Sequence, residues 1–295
     1  MIQSLLVYAQ EENNILEDKK ETRNNNIGNN TNTNTNNKTK EIEKLLDTAI
    51  EYFLSGQYKE ATSYLDRMLE IDGNNTDALL GKGLALSFLG QYQQAIPYYD
   101  RVLEIDGNDT EALNVKGLAL YNLGQYQQAI AYYDRALAID GNFTLALNNK
   151  GQTLSELGQY EEALTYINRA LAIDGNYTYA LNNKGLALHY LGKPQEAIVY
   201  LDKALVISPN DLKIISNKGF ILVELEDTDQ ALKLVDPFLE ENPDDKGLLC
   251  VFKKTYEKSG DEESATYYDE NILALNPSYE CKLRDILSSE KQAFM

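Results

Sequence analysis

One histidine, His189, and two cysteines, Cys250 and Cys281, are the side chains in this 295-residue chain with the most chemistry to offer. One imidazole and two thiols fall short of the four His/Cys ligands of a structural zinc site, and two cysteines build no disulfide framework. His189 stands beside Tyr190 without a Ser, Cys or carboxylate pattern around it, so it reads as a contact residue rather than a general base. The 46 Asp and Glu residues scatter along polar faces and show no pairing aimed at a cleft. The sequence therefore predicts no enzyme, no catalytic residue, no metal and no cofactor.

A second chemistry is periodic. Asn-x-Thr occurs at Asn74, Asn108, Asn142 and Asn176, and again at Asn29 and Asn37. In an exported chain these are candidate glycan acceptors on exposed loops. The competing reading gives Asn a turn and Thr, for example Thr144, the N-cap of the next helix, both copied by duplication. Export decides between them. Val7-Tyr8-Ala9 ahead of Gln10 has the small residues of a signal-peptidase site, but the apolar stretch is short and lacks a basic flank. It is either the remainder of a signal peptide or a short leader. The compartment is cytoplasmic by default, and secreted or cell-surface if the signal is real.

A formal charge of −19 repels nucleic acid and holds poorly to anionic membranes. No run approaches the roughly 20 apolar residues of a spanning helix. Asn and Thr supply 14 of the 18 residues from Thr22 to Thr39, too little apolar surface to offset chain entropy. Residues 1–40 are thus expected to be a short leader and a disordered arm.

These groups must be positioned by the remainder of the chain, which repeats every 34 residues: 42–75, 76–109, 110–143, 144–177, 178–211, 212–245 and 246–279. Alanine recurs in all seven units, at Ala61, Ala95, Ala129, Ala163, Ala197, Ala231 and Ala265. In unit three, Leu113, Gly117, Leu120 and Leu123 mark one face of a first helix, and Gly124 suits its left-handed end. Tyr126, Ala129, Ile130, Tyr133, Ala136 and Leu137 mark a second helix. A fixed period of this length signals a solenoid. Residues 280–295, with Leu283, Ile286 and Leu287, read as an amphipathic capping helix.

These residues resemble the tetratricopeptide repeat (TPR) family, through Leu113, Gly117, Leu120, Ala129, Tyr133 and Ala136 at its large, small and apolar positions. The resemblance implies an all-α, right-handed superhelical solenoid of seven helix-turn-helix units plus the cap. There are departures. Lys82, Lys116, Lys150, Lys184 and Lys218 stand where the family usually has leucine, and Gly141 and its counterparts replace proline. Pro97 falls inside a second helix, and Lys253 and Asp269 occupy slots that are normally small or apolar.

The resemblance further implies a concave groove lined by positions two, five, nine, twelve and thirteen of the first helices. In repeats three to five these include Asn114, Tyr121, Asn148, Gln152, Tyr179, Asn182, His189 and Tyr190. Carboxamides both donate and accept, so they can pair with a peptide backbone. The series Asn114, Asn148, Asn182 resembles the asparagine ladder of O-linked N-acetylglucosamine transferases. An Hsp70/Hsp90-type carboxylate-tail clamp is not expected, because no repeat carries its Lys–Asn pair. Cys250 and Cys281 fall on the same side by family register; buried free thiols are expected, and a stapling disulfide if the chain is exported. The implied function is a non-catalytic protein–protein interaction scaffold that takes an extended peptide, with basic residues favoured by the acidic balance. The alternative is an assembly protein that self-associates through repeat ends or its convex surface.

Overall fold

The computed structural model describes residues 33–279 and Cys281, with side chains from Asn37 onward. Among these residues the chain forms fourteen α-helices and no strand. They come in pairs: α1 (Thr33–Leu54) with α2 (Tyr58–Ile71), α3 (Thr76–Phe88) with α4 (Tyr92–Ile105), and α5 (Thr110–Asn122) with α6 (Tyr126–Ile139). Next come α7 (Thr144–Glu156) with α8 (Tyr160–Ile173), α9 (Thr178–Tyr190) with α10 (Pro194–Ile207), α11 (Leu212–Glu224) with α12 (Thr228–Leu239), and α13 (Lys246–Ser259) with α14 (Glu262–Leu275). Helices α1–α6 form one compact unit ending at Ile139, and α7–α14 a second beginning at Asp140.

Local signals explain the punctuation. Asp109 caps α5 by accepting from the Ala112 amide at 2.8 Å. At the other end Gly124 turns left-handed, with φ at +74°, and the Gly124 and Gln125 amides donate to the Tyr121 and Leu120 carbonyls. In repeat six the equivalent residue is Glu226, which adopts φ of +64° although it carries a side chain.

Packing then fixes each pair. The periodic alanines from Ala61 to Ala231 are wholly buried, and Ala265 nearly so. A Cβ on Gly117 would lie 2.6 Å from the Tyr133 ring, so α5 and α6 approach as closely as a bare glycine allows. The periodic lysines are ties between helices. Lys116 on α5 pairs with Asp100 on α4 and donates to the Tyr132 hydroxyl on α6 at 2.6 Å. Lys82 and Asp66, and Lys218 and Asp202, repeat the ion pair. The aliphatic stem fills the leucine's space while the ammonium emerges at a carboxylate.

Several expectations change. Helix α1 begins at Thr33, inside the segment expected to be a disordered arm; Asn37 to Lys40 are exposed, so the helix there propagates from the packed Leu45 and Ala49. Residues 1–32, which hold the leader, lie outside the described residues, as does the expected cap apart from Cys281. Helix α4 runs unbroken through Pro97. Thr144 is not an N-cap: Phe143 holds the capping backbone conformation and Thr144 is the first helical residue.

Candidate functional site

Within the second unit, α9, α11 and α13 present a cavity of 880 Å³. His189 and Tyr190 come from the end of α9, Phe220, Val223 and Glu224 from α11, and Lys254, Glu257 and Lys258 from α13. Tyr160 of α8 and Cys281 complete the wall. In the 34-residue register these first-helix residues fall at positions nine, twelve and thirteen. These are among the positions expected from the sequence to line a groove. They line one pocket because residues three and four apart share a helix face.

The pocket has an aromatic side and a charged side. Tyr160 stacks on Tyr190 with centroids 5.0 Å apart and planes 9° from parallel. Phe220 is buried among the core residues of this unit. His189 Nε2 lies 3.2 Å from a Glu224 carboxylate oxygen, while Nδ1 is buried and has no hydrogen-bond partner among the described residues. The ring is therefore oriented by Glu224. Burial pushes the imidazole below its ordinary value, and the Glu224 charge opposes that shift. On α13 Lys254 pairs with Glu257 at 3.0 Å, and Lys258 reaches Glu226 at 3.8 Å. Such a surface can receive an apolar side chain against Tyr190 and Phe220 and exchange ion pairs with flanking charges.

The expected groove residues divide. His189 and Tyr190 line the pocket. Tyr179 packs edge-on against Tyr177 at 5.9 Å, and Gln152 is half-buried. Tyr121 is buried against Tyr126. Asn114, Asn148 and Asn182 retain only 2, 2 and 3 % of their surface. The amide oxygens of Asn148 and Asn182 accept from Asn183 and Asn217 of the following repeats, each at 2.9 Å. From α7 to α11 the expected open amide strip is thus a buried row that ties successive first helices together. Phe220, Val223, Glu224, Lys254, Glu257 and Lys258 were not expected. The register that names His189 and Tyr190 names them too, one and two repeats onward, but the carboxamide pattern points instead to repeats three to five.

Cys281 meets the pocket because it is bonded to Cys250 of α13, with Cα atoms 5.4 Å apart. This corrects the expectation of free thiols: the register aligns the two residues, and the chain beyond α14 brings the second sulfur back over the first. The four Asn-x-Thr asparagines are all exposed, each in the turn between a second helix and the next first helix.

Comparison with known proteins agrees with this architecture. Two tetratricopeptide repeat models match residues 142–210, and residues 52–119 with 188–248. A model of anaphase-promoting complex, cyclosome, subunit 3 matches residues 88–170. Among curated protein sequences none matches. A tetratricopeptide repeat protein from Parabacteroides merdae superposes with a TM-score of 0.66 at 15 % identity, over 86 % of this chain and 98 % of its own. PilF of Pseudomonas aeruginosa gives 0.55 at 15 % identity, over 86 % and 99 %. The Cut9–Hcn1 hetero-tetramer of APC/C gives 0.64 at 17 % identity, over 78 % of this chain and 43 % of that one. These likenesses concern the fold. Seven helix pairs at a 34-residue step, with models of the same repeat matched along most of their length, lead to one conclusion: the chain belongs to the tetratricopeptide repeat family.

Proposed function

We propose that this tetratricopeptide repeat protein is a non-catalytic scaffold that binds an extended partner segment in the groove of repeats five to seven. The fold is one typical of protein–protein interaction scaffolds. The observation that carries the proposal is the pocket itself, to which α11 and α13 contribute positions nine, twelve and thirteen of the repeat and α9 positions twelve and thirteen. Tyr190 and Phe220 receive an apolar or aromatic anchor, the kind of residue that dominates binding energy in small interfaces. Glu224 and Glu257 favour basic residues beside it, and the charge of −19 adds attraction at long range. Hydrogen exchange on the full chain, with a peptide selected from a display library, tests the location. Slowed exchange in α9, α11 and α13 supports it; slowing confined to the second helices, or none at saturating peptide, overturns it.

Self-association has one observation in its favour. Val199 and Val206 on α10 are 51 and 84 % exposed, with Ile207 beside them at 43 %. Light scattering over a wide concentration range separates the readings: the scaffold stays monomeric, whereas assembly through this face gains mass and is lost on Val206→Lys.

A further inference from the structure

We propose that Asn74, Asn108, Asn142 and Asn176 are acceptors of N-linked glycans. The rival explanation gives Asn the turn and Thr the helix cap, and the structure assigns both tasks to other residues. The turn is made by the aspartate two residues earlier. Asp72, Asp106, Asp140 and Asp174 accept from the Asn74, Asn108, Asn142 and Asn176 backbone amides at 2.9 to 3.0 Å. The N-cap is the residue between Asn and Thr: Asn75 and Asp109 accept the capping bond, and Phe143 and Tyr177 hold the position without one. Each threonine is merely the first helical residue.

The chain contains its own control. At the next two junctions Leu212 and Lys246 stand in the threonine's place, and Asp244 replaces the asparagine, yet α11 and α13 start there in the same register. Neither half of the motif is needed to build the junction. The carboxamides of Asn108, Asn142 and Asn176 are exposed and make no hydrogen bond among the described residues. The nearby Arg135 and Arg169 donate to the Gly107 and Gly141 carbonyls instead. Asn74 accepts from Arg101 through its oxygen, which leaves its nitrogen available.

The second, independent observation is the Cys250–Cys281 bond. Disulfides of this kind persist in oxidising compartments outside the cytosol, which is where glycan transfer takes place. The donor class is an oligosaccharide linked to a polyprenyl phosphate or diphosphate. The asparagine Nδ2 attacks the anomeric carbon; the new C–N bond replaces the C–O bond to phosphate, an amide proton is lost, and the lipid phosphate leaves with the electron pair.

Full-length protein purified from its native cells tests this by intact mass and peptide mapping, with thiols labelled before and after reduction. The expected result is a mass above 33.3 kDa, sugar on peptides holding these asparagines, and no thiol until reduction. Thr76→Ala, Thr110→Ala, Thr144→Ala and Thr178→Ala should each remove one glycan, and the matching Thr→Ser variants should keep it. Bare asparagines at all four positions overturn the proposal, and free thiols in the same sample overturn the oxidising compartment with it. A mass that none of the Thr→Ala changes lowers also overturns it, since the modification then lies elsewhere.

Discussion

Lys253 on α13 and Asp269 on α14 form an ion pair in the two slots that hold Gly117 and Tyr133 in repeat three. Each looks like an error in the repeat when taken alone, and together they are an exchange of one complementary pair for another. Their side chains keep 20 and 39 % of their surface, so solvent screens the attraction. A double-mutant cycle with Lys253→Met and Asp269→Asn should give a coupling of about 0.5–1 kcal/mol in urea unfolding. A coupling of zero would mean that the pair is incidental to packing.

Glu226 closes α11 in the left-handed conformation that glycine adopts at Gly124. A side chain there costs roughly 1–2 kcal/mol. The contact to Lys258 is at 3.8 Å, with both side chains largely exposed, and offsets little of that. Glu226→Gly should therefore stabilise the second unit by about 1 kcal/mol. Differential scanning calorimetry checks the sign, and a lower melting temperature would contradict the account.

The disulfide closes a loop of sequence separation 31 at the edge of the pocket. Chain-entropy reasoning gives such a cross-link about 3–4 kcal/mol. Cys250→Ser/Cys281→Ser should lower the stability of repeat seven by an amount of that order. Because the fold is a solenoid, the loss should be local. Proteolysis should release α13 and α14 first, leaving earlier helices protected.

His189 links pH to stability. Burial holds its folded-state value below the ordinary one, so the unfolded chain binds the proton first as pH falls. The contribution is intact above the ordinary value of about 6.5 and declines as pH drops from there towards the folded value. The values pH 7.5 and pH 5.5 stand on either side of that ordinary value. Urea midpoints measured at those two pH values should fall for the wild type, and fall less for His189→Gln.

Much of the fold is legible because it is local to one repeat. The buried series from Ala61 to Ala231 and the left-handed Gly124 can be read from spacing, since each acts within a single helix pair. What escapes is decided between repeats. Asn148 looks like a groove residue until Asn183, 35 residues on, takes its oxygen and buries it. Likewise the Cys250–Cys281 bond depends on a chain reversal that no local pattern encodes. The pocket lies between those extremes: its positions follow from the repeat register, but which repeats open a cavity depends on side-chain size, with Tyr190 and Phe220 at its apolar side.

If the groove of repeats five to seven is the binding surface, its two aromatic anchors must carry the affinity. The most direct measurement titrates a display-selected peptide into the full chain and into Tyr190→Ala/Phe220→Ala, with circular dichroism and melting checked for both. Loss of both anchors should weaken binding by roughly 30-fold or more, about 2 kcal/mol. Equal affinity for the two folded proteins would contradict the account and move the binding surface elsewhere on the chain.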